Sequence, residues 1–139
     1  MNRIVILGTG HATVTRCYNT CFVLQTDTTT LLVDAGGGNG ILQRLKQAGI
    51  AIKDLHHMYV THAHTDHILG TIWVIRMVLS AAGYEGRFHV YSHAKVLRVI
   101  SMICGETLSA KHRRLMGERV VMHEVGDGTS FNVGDIGMQ

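Results

Sequence analysis

A chain of 139 residues is long enough for one domain with a real core and too short for two. With 46% apolar and 17% charged residues it is not a disordered or low-complexity protein, and a formal charge of +3 with a pI near 8.9 falls well short of a dedicated nucleic-acid binder while remaining compatible with an anionic substrate. The departure from ordinary composition is ten histidines, which directs attention to metal chemistry.

In chain order, the β-branched run 4–7, closed by Gly8-Thr9-Gly10, predicts a buried strand ending in a tight loop. Thr13 stands where a dinucleotide fingerprint needs its third glycine, so that loop is read as a turn. Cys17, Cys21 and Cys104 are odd in number and form no CxxC motif, which fits a reducing cytoplasm. Strands are expected over 21–25 and 31–34, as a hairpin through a threonine-rich turn, with Tyr18 and Asn19 placed to steady a neighbouring loop. The glycine-rich run 36–40 lets backbone pass close to a neighbour. A helix follows from Ile41, with Gly49 as its stop.

A strand over 58–61 leads into a helix over 68–82, with Trp73 and Met77 expected in the core. This longest apolar stretch is interrupted by Gly70 and Arg76 and is shorter than the ~20 residues of a membrane span. The N-terminus has no apolar segment of signal-peptide length, so a soluble, cytoplasmic protein is expected. Strand 88–91, helix 94–103, strand 120–124 and short strands in the glycine-punctuated tail complete an α/β pattern. Lys111, Arg113, Arg114 and Arg119 form a basic group, read first as a solvated helix face and second as a contact for an RNA backbone.

The chemistry concentrates in Thr61-His62-Ala63-His64-Thr65-Asp66-His67. Residues two apart on an extended chain share a face, so His62 and His64 can grip one ion. Asp66 and His67 fall where the next helix begins and turn toward a neighbouring position, where a second ion fits. Imidazoles suit Zn²⁺, and a carboxylate among them also tolerates Mn²⁺ or Fe²⁺. Two such ions roughly 3.5–4 Å apart stabilise both oxygens of an in-line displacement.

The stretch from Thr61 to Gly70, together with Leu7-Gly8-Thr9-Gly10 and Asp34-Ala35-Gly36, resembles the metallo-β-lactamase superfamily in its ribonuclease Z branch. The resemblance implies an αββα sandwich, a mixed sheet with helices on its outer face, of which residues 1–139 form the N-terminal half as a single incomplete domain. It implies two divalent ions, Zn²⁺ first, with His62 and His64 on one and Asp66 and His67 on the other, and Asp66 orienting the attacking water. Asp34 and Thr61 would hold the ligating imidazoles, and His11 would lie in a loop near the substrate. The implied activity is phosphodiester hydrolysis at transfer-RNA 3′ ends. Alternatives are another small phosphodiester, cyclic or phosphonate, a thioester, or a non-catalytic metal-binding or interaction module.

The resemblance also implies a third histidine, an ion-bridging aspartate and a last histidine. His89, His93, His112 and His123 lack the flanking residues expected of them. Catalytic zinc sites normally have at least three protein ligands, so two per ion predicts weak metal binding and little activity for this chain alone. A sheet face left bare predicts a homo-oligomer or association with a complementary C-terminal half.

Overall fold

The computed structural model describes residues 1–139. Its eight strands are β1 (Arg3–Gly8), β2 (Cys21–Gln25), β3 (Thr30–Val33), β4 (His57–Tyr59), β5 (Phe88–Ser92), β6 (Val120–Glu124), β7 (Phe131–Val133) and β8 (Ile136–Met138). Its helices are α1 (Gly40–Gln47), α2 (Thr65–Ser80), α3 (Ala94–Thr107) and the single turn α4 (Ala110–Arg113), with a 3₁₀ turn at Ile52–Asp54. The first six strands form one sheet in sequential order, antiparallel from β1 to β3 and parallel from β3 to β6, while β7 and β8 pair separately. The expected α/β architecture, a mixed sheet with helices on one face, is present.

Local chemistry accounts for the elements. In the β2–β3 turn, Thr26 Oγ1 accepts from the backbone N–H groups of Thr28 at 3.2 Å and Thr29 at 2.9 Å, an Asx-like substitute for backbone pairing. Helix α1 ends at Gly49, whose φ of 72° lets the Ile50 N–H reach back to the Leu45 carbonyl at 2.9 Å. Helix α2 begins three residues before the apolar run that predicted it, because Thr65, Asp66 and His67 already form its first turn.

The main core lies between the helices and the inward face of the sheet, where Val23, Leu32, Met58 and Val90 meet Ile41, Leu45, Ile75 and Ile100. A smaller cluster on the opposite face packs Leu31 and Val33 against Val133 of β7, with Tyr59 and Tyr91 stacked near Phe131. The β7–β8 hairpin thus covers part of the second face.

Two burial expectations are corrected. Strand β1 is an edge strand, not a buried one: Val5 and Leu7 face inward, while Ile4 and Ile6 are 64% and 59% exposed. Trp73 and Met77 are 40% and 37% exposed and not core, because α2 packs through Ile68, Thr71, Val74, Ile75 and Val78. A helix apolar on every side does not announce its inner face. The basic group divides: Lys111 and Arg114 are exposed, as a solvated face would be, while two arginines bind helix ends. Arg119 donates to the carbonyls of Val78 and Leu79 at the end of α2, and Arg113 to those of Gly105 and Leu108 at the end of α3. No helix is long and apolar enough to cross a membrane.

On the hairpin side of the sheet, His57 of β4 pairs with His89 of β5, and His123 of β6, opposite Tyr91, reaches His89 diagonally. The rings of His57 and His89 stack at 5.4 Å, and His89 Nδ1 lies 2.8 Å from His123 Nε2, a spacing at which one ring donates to the other. Burial, then the charges of His89, His56 and His123, pulls His57 from 6.5 down to about 4. Burial and the neighbouring His123 also lower His89. Because the folded value lies below the unfolded one, the unfolded chain takes up protons first, and stability is lost as pH falls from 6.5 toward 4. With allowance for partial exposure of the ring, His57 should cost about 1–2 kcal/mol between pH 7 and pH 5. Urea midpoints at the two pH values measure this; His57→Phe should flatten the slope, and an unchanged slope would contradict the assignment.

Candidate metal centre

After β4 the chain stays extended through His64, whose φ of −66° and ψ of 146° make it the residue capping α2. Its imidazole makes no capping bond and is left for other work. The turn closes through the His64 carbonyl, which accepts from the N–H groups of His67 and Ile68, both at 3.0 Å. This geometry gathers the imidazoles: the His62 ring centroid lies 4.6 Å from that of His64 and 4.2 Å from that of His67. Asp66 Oδ2 sits 3.2 Å from His67 Nε2. His62, Asp66 and His67 are partly buried, and His64 stands on the exposed rim.

A surrounding set of groups holds these side chains. Asp34 is 5% exposed and accepts three bonds: at Oδ1 from the Thr61 N–H, 2.8 Å, and at Oδ2 from Thr61 Oγ1, 2.8 Å, and His67 Nδ1, 2.7 Å. Its φ of 57° is the only positive value at a non-glycine residue. Such strain persists where surroundings over-determine it, and here it turns the carboxylate toward both partners. Thr61 Oγ1 also lies 2.8 Å from His62 Nδ1. With Nδ1 of His62 and of His67 both engaged, Nε2 is the nitrogen each ring has left for a metal, that of His67 lying beside the Asp66 carboxylate. Outer groups fix ligand tautomers in this way. Asp34, His62 and His67 have potential donor atoms within 4.8 Å of one another, and the Asp34 oxygens are occupied in accepting three bonds.

The loop carrying Asp34 is itself clamped. Tyr18 Oη donates toward the carbonyls of Ala35 at 2.7 Å and Gly38 at 2.8 Å, and its ring fills the space a side chain at Gly36 or Gly40 would need. Asn19 Oδ1 accepts from the Gly37 N–H at 3.0 Å, and its amide donates to the His11 carbonyl at 3.3 Å. His11 is therefore tied through its backbone to the loop bordering Asp66, with its side chain exposed. Helix α2 docks on the same loop: Gly70 N–H donates to the Gly36 carbonyl at 2.8 Å and Ala35 N–H to the His67 carbonyl at 3.2 Å.

The donor set fits divalent metal ions. Desolvation, then the neighbouring imidazoles of His67 and His64, lowers the pKa of His62, so the ring stays neutral and its lone pair available. No lysine or arginine forms an ion pair with Asp66. Cys21, near Asp34, is not a rival ligand, since burial and then the Asp34 charge push its thiol up to about 12.

A cleft of about 500 Å³ opens beside the motif, with Thr61, His62 and His64 on one side and His93, Lys95 and Val99 of the α3 end on the other. The residues flanking His93 give it no ligand signature in the sequence, and Lys95 carries no signal there. Their placement follows from the parallel pairing of β4 with β5, which brings the residues after each strand together.

A family model described as Anti-Pycsar protein Apyc1 matches residues 2–138. The Ribonuclease Z of Streptomyces avermitilis is 37% identical over 79 residues, covering 56% of this chain and 26% of that protein. The short form of human tRNase Z superposes with a TM-score of 0.70 at 21% identity, over 89% of this chain and 44% of that one. The metallo-β-lactamase fold protein YhfI from Bacillus subtilis does so with a TM-score of 0.66 at 18% identity, over 94% and 49%. The chain has the metallo-β-lactamase fold and spans about a quarter of that curated relative and about half of the superposed structures.

Proposed function

The chain belongs to the Anti-Pycsar protein Apyc1 family, and from that premise we propose that it carries the metal-binding half of a metal-dependent phosphodiesterase. The observation that supports this reading best is the gathering of three imidazoles and a carboxylate, with Nδ1 of His62 and of His67 already engaged. His62 and His64 would hold one divalent ion, and Asp66 and His67 a second, Zn²⁺ being the best match to the donors. Bound there, the ions supply Lewis acidity and lower the pKa of water. Asp66 orients the attacking water, Asp34 keeps His67 in position, and Thr61 does the same for His62. The remaining ligands, a third histidine, a bridging aspartate and a last histidine, would come from outside these residues, either from the same polypeptide or from a partner chain.

Two phosphodiester classes compete as substrate. The ribonuclease Z relatives favour a transfer-RNA 3′ end. A small phosphodiester, cyclic or phosphonate, is favoured by two observations: the family model spanning nearly the whole chain is not a ribonuclease Z one, and two of the four basic residues suited to RNA, Arg113 and Arg119, are engaged at helix ends. Arg119 binds the end of α2 opposite to the metal motif. We therefore place the small phosphodiester first.

The test is hydrolysis of bis(p-nitrophenyl) phosphate by the protein carrying a complete ligand set, with Zn²⁺ or Mn²⁺ added. Turnover is expected in the completed protein and little in residues 1–139 alone, and no turnover in either ends the phosphodiesterase reading. Comparing cyclic nucleotide monophosphates with precursor transfer RNA then separates the substrate classes.

A further inference from the structure

The cleft beside the metal motif has a second wall that the ligands do not use. His93 caps α3 without a side-chain capping bond, and Lys95 follows in the first turn. Both line the cleft with His62 and His64. Lys95 is exposed and makes no hydrogen bond or ion pair. His93 has one charged neighbour, Asp127, with Nε2 and Oδ1 3.6 Å apart. By contrast, Arg113 and Arg119 are held by backbone carbonyls elsewhere. The first turn of α3 contains no acidic residue, and the one carboxylate near the helix end, Asp127, lies against His93 and forms no ion pair with Lys95. Beneath these polar groups, Val96 and Val99 form an apolar floor.

We propose that Lys95 and His93 form the seat for the substrate phosphate, with Val96 and Val99 taking the organic substituent of the diester. This rests on the phosphodiesterase reading and adds a substrate-binding pair to it. The metal motif supplies the reacting side of the cleft. The α3 side supplies a cation and an imidazole that line the same cleft as His62 and His64 and can bind a non-bridging oxygen. A volume near 500 Å³ is in the range of small-molecule sites and admits a diester with one organic group.

The experiment uses the Zn²⁺-loaded protein with its ligand set complete, comparing the parent with Lys95→Ala, His93→Ala and Lys95→Arg. Binding of inorganic phosphate is followed by calorimetry, and KM and kcat by bis(p-nitrophenyl) phosphate hydrolysis. Each alanine variant should weaken phosphate binding and raise KM by about 10-fold, as loss of one charge-assisted bond implies. In these variants kcat should stay within about threefold and zinc content should be unchanged, while Lys95→Arg recovers most of the loss. Lys111→Ala, on α4, should match the parent. Phosphate binding within twofold of the parent in both alanine variants, or no phosphate binding by the parent, overturns the proposal. Phosphate binding that depends on Lys95 in a protein with no turnover leaves the seat standing and removes only the phosphodiesterase reading.

Discussion

Asp66→Asn is expected to lower kcat/KM for bis(p-nitrophenyl) phosphate at least about 100-fold in the protein with a complete ligand set. The substitution keeps size and shape and removes the charge. Asparagine is a poor ligand for a zinc-like ion and a poor acceptor for a proton from water, so two functions fail together. The fold should not suffer, because Asp66 is partly exposed in the first turn of α2 and its nearest charged neighbour is the His67 ring at 3.2 Å. Metal analysis should show a fall in bound ions per chain beside the kinetic loss, with the parental melting profile of the metal-free protein. Activity within about threefold of the parent would remove Asp66 from both roles.

Gly70→Ala should produce the largest loss of stability. A Cβ built on Gly70 would lie 1.9 Å from the Ala35 carbonyl oxygen and 2.6 Å from its carbon, both backbone atoms that no rotamer change can move away. The helix must therefore shift outward, giving up the bond from Gly70 N–H to Gly36 and that from Ala35 N–H to His67. Overpacking and two weakened bonds together suggest about 3 kcal/mol, and a melting temperature lower by about 10 °C. The displaced turn carries Asp66 and His67, so zinc affinity should fall as well. Gly105→Ala on α3 is the control: its added methyl meets nothing within 4 Å, and the exchange should stabilise by about 0.5–1 kcal/mol. Equal melting temperatures for the two variants would contradict the packing described.

What could be read from the chain divides by the range of the interaction. The motif from His62 to His67 was legible because a strand end and a helix start are local events, and its four donors lie within six positions. The α1 stop was legible because Gly49 has one conformational use there. Asp34 drew attention only through family resemblance, and its bonds to Thr61 and His67 cross about 30 residues of chain. Contacts set by strand pairing were not legible. The His57–His89–His123 cluster and the meeting of Lys95 with the metal motif both depend on β4, β5 and β6 lying parallel and adjacent. Trp73 and Met77 were misassigned because α2 is apolar around its circumference, and period alone does not choose the buried side. Strand β1 misled for a related reason, since a β-branched run at a sheet edge reads like one in the middle. The arginines caught at helix ends were invisible as such, because a carbonyl acceptor has no signature in a side-chain pattern.

The carbonyl of Ala35 pressed against Gly70 ties two distant stretches of the gene to one another. A recombinant that imports the histidine segment without the Asp34-Ala35-Gly36 corner, or the corner without the glycine, would inherit a full donor list and the wrong frame for it. Swaps among related proteins should therefore succeed only when crossover points fall outside the whole span from Tyr18 to Gly70, and transplanting the short histidine segment into another scaffold should yield a chelating peptide and no enzyme.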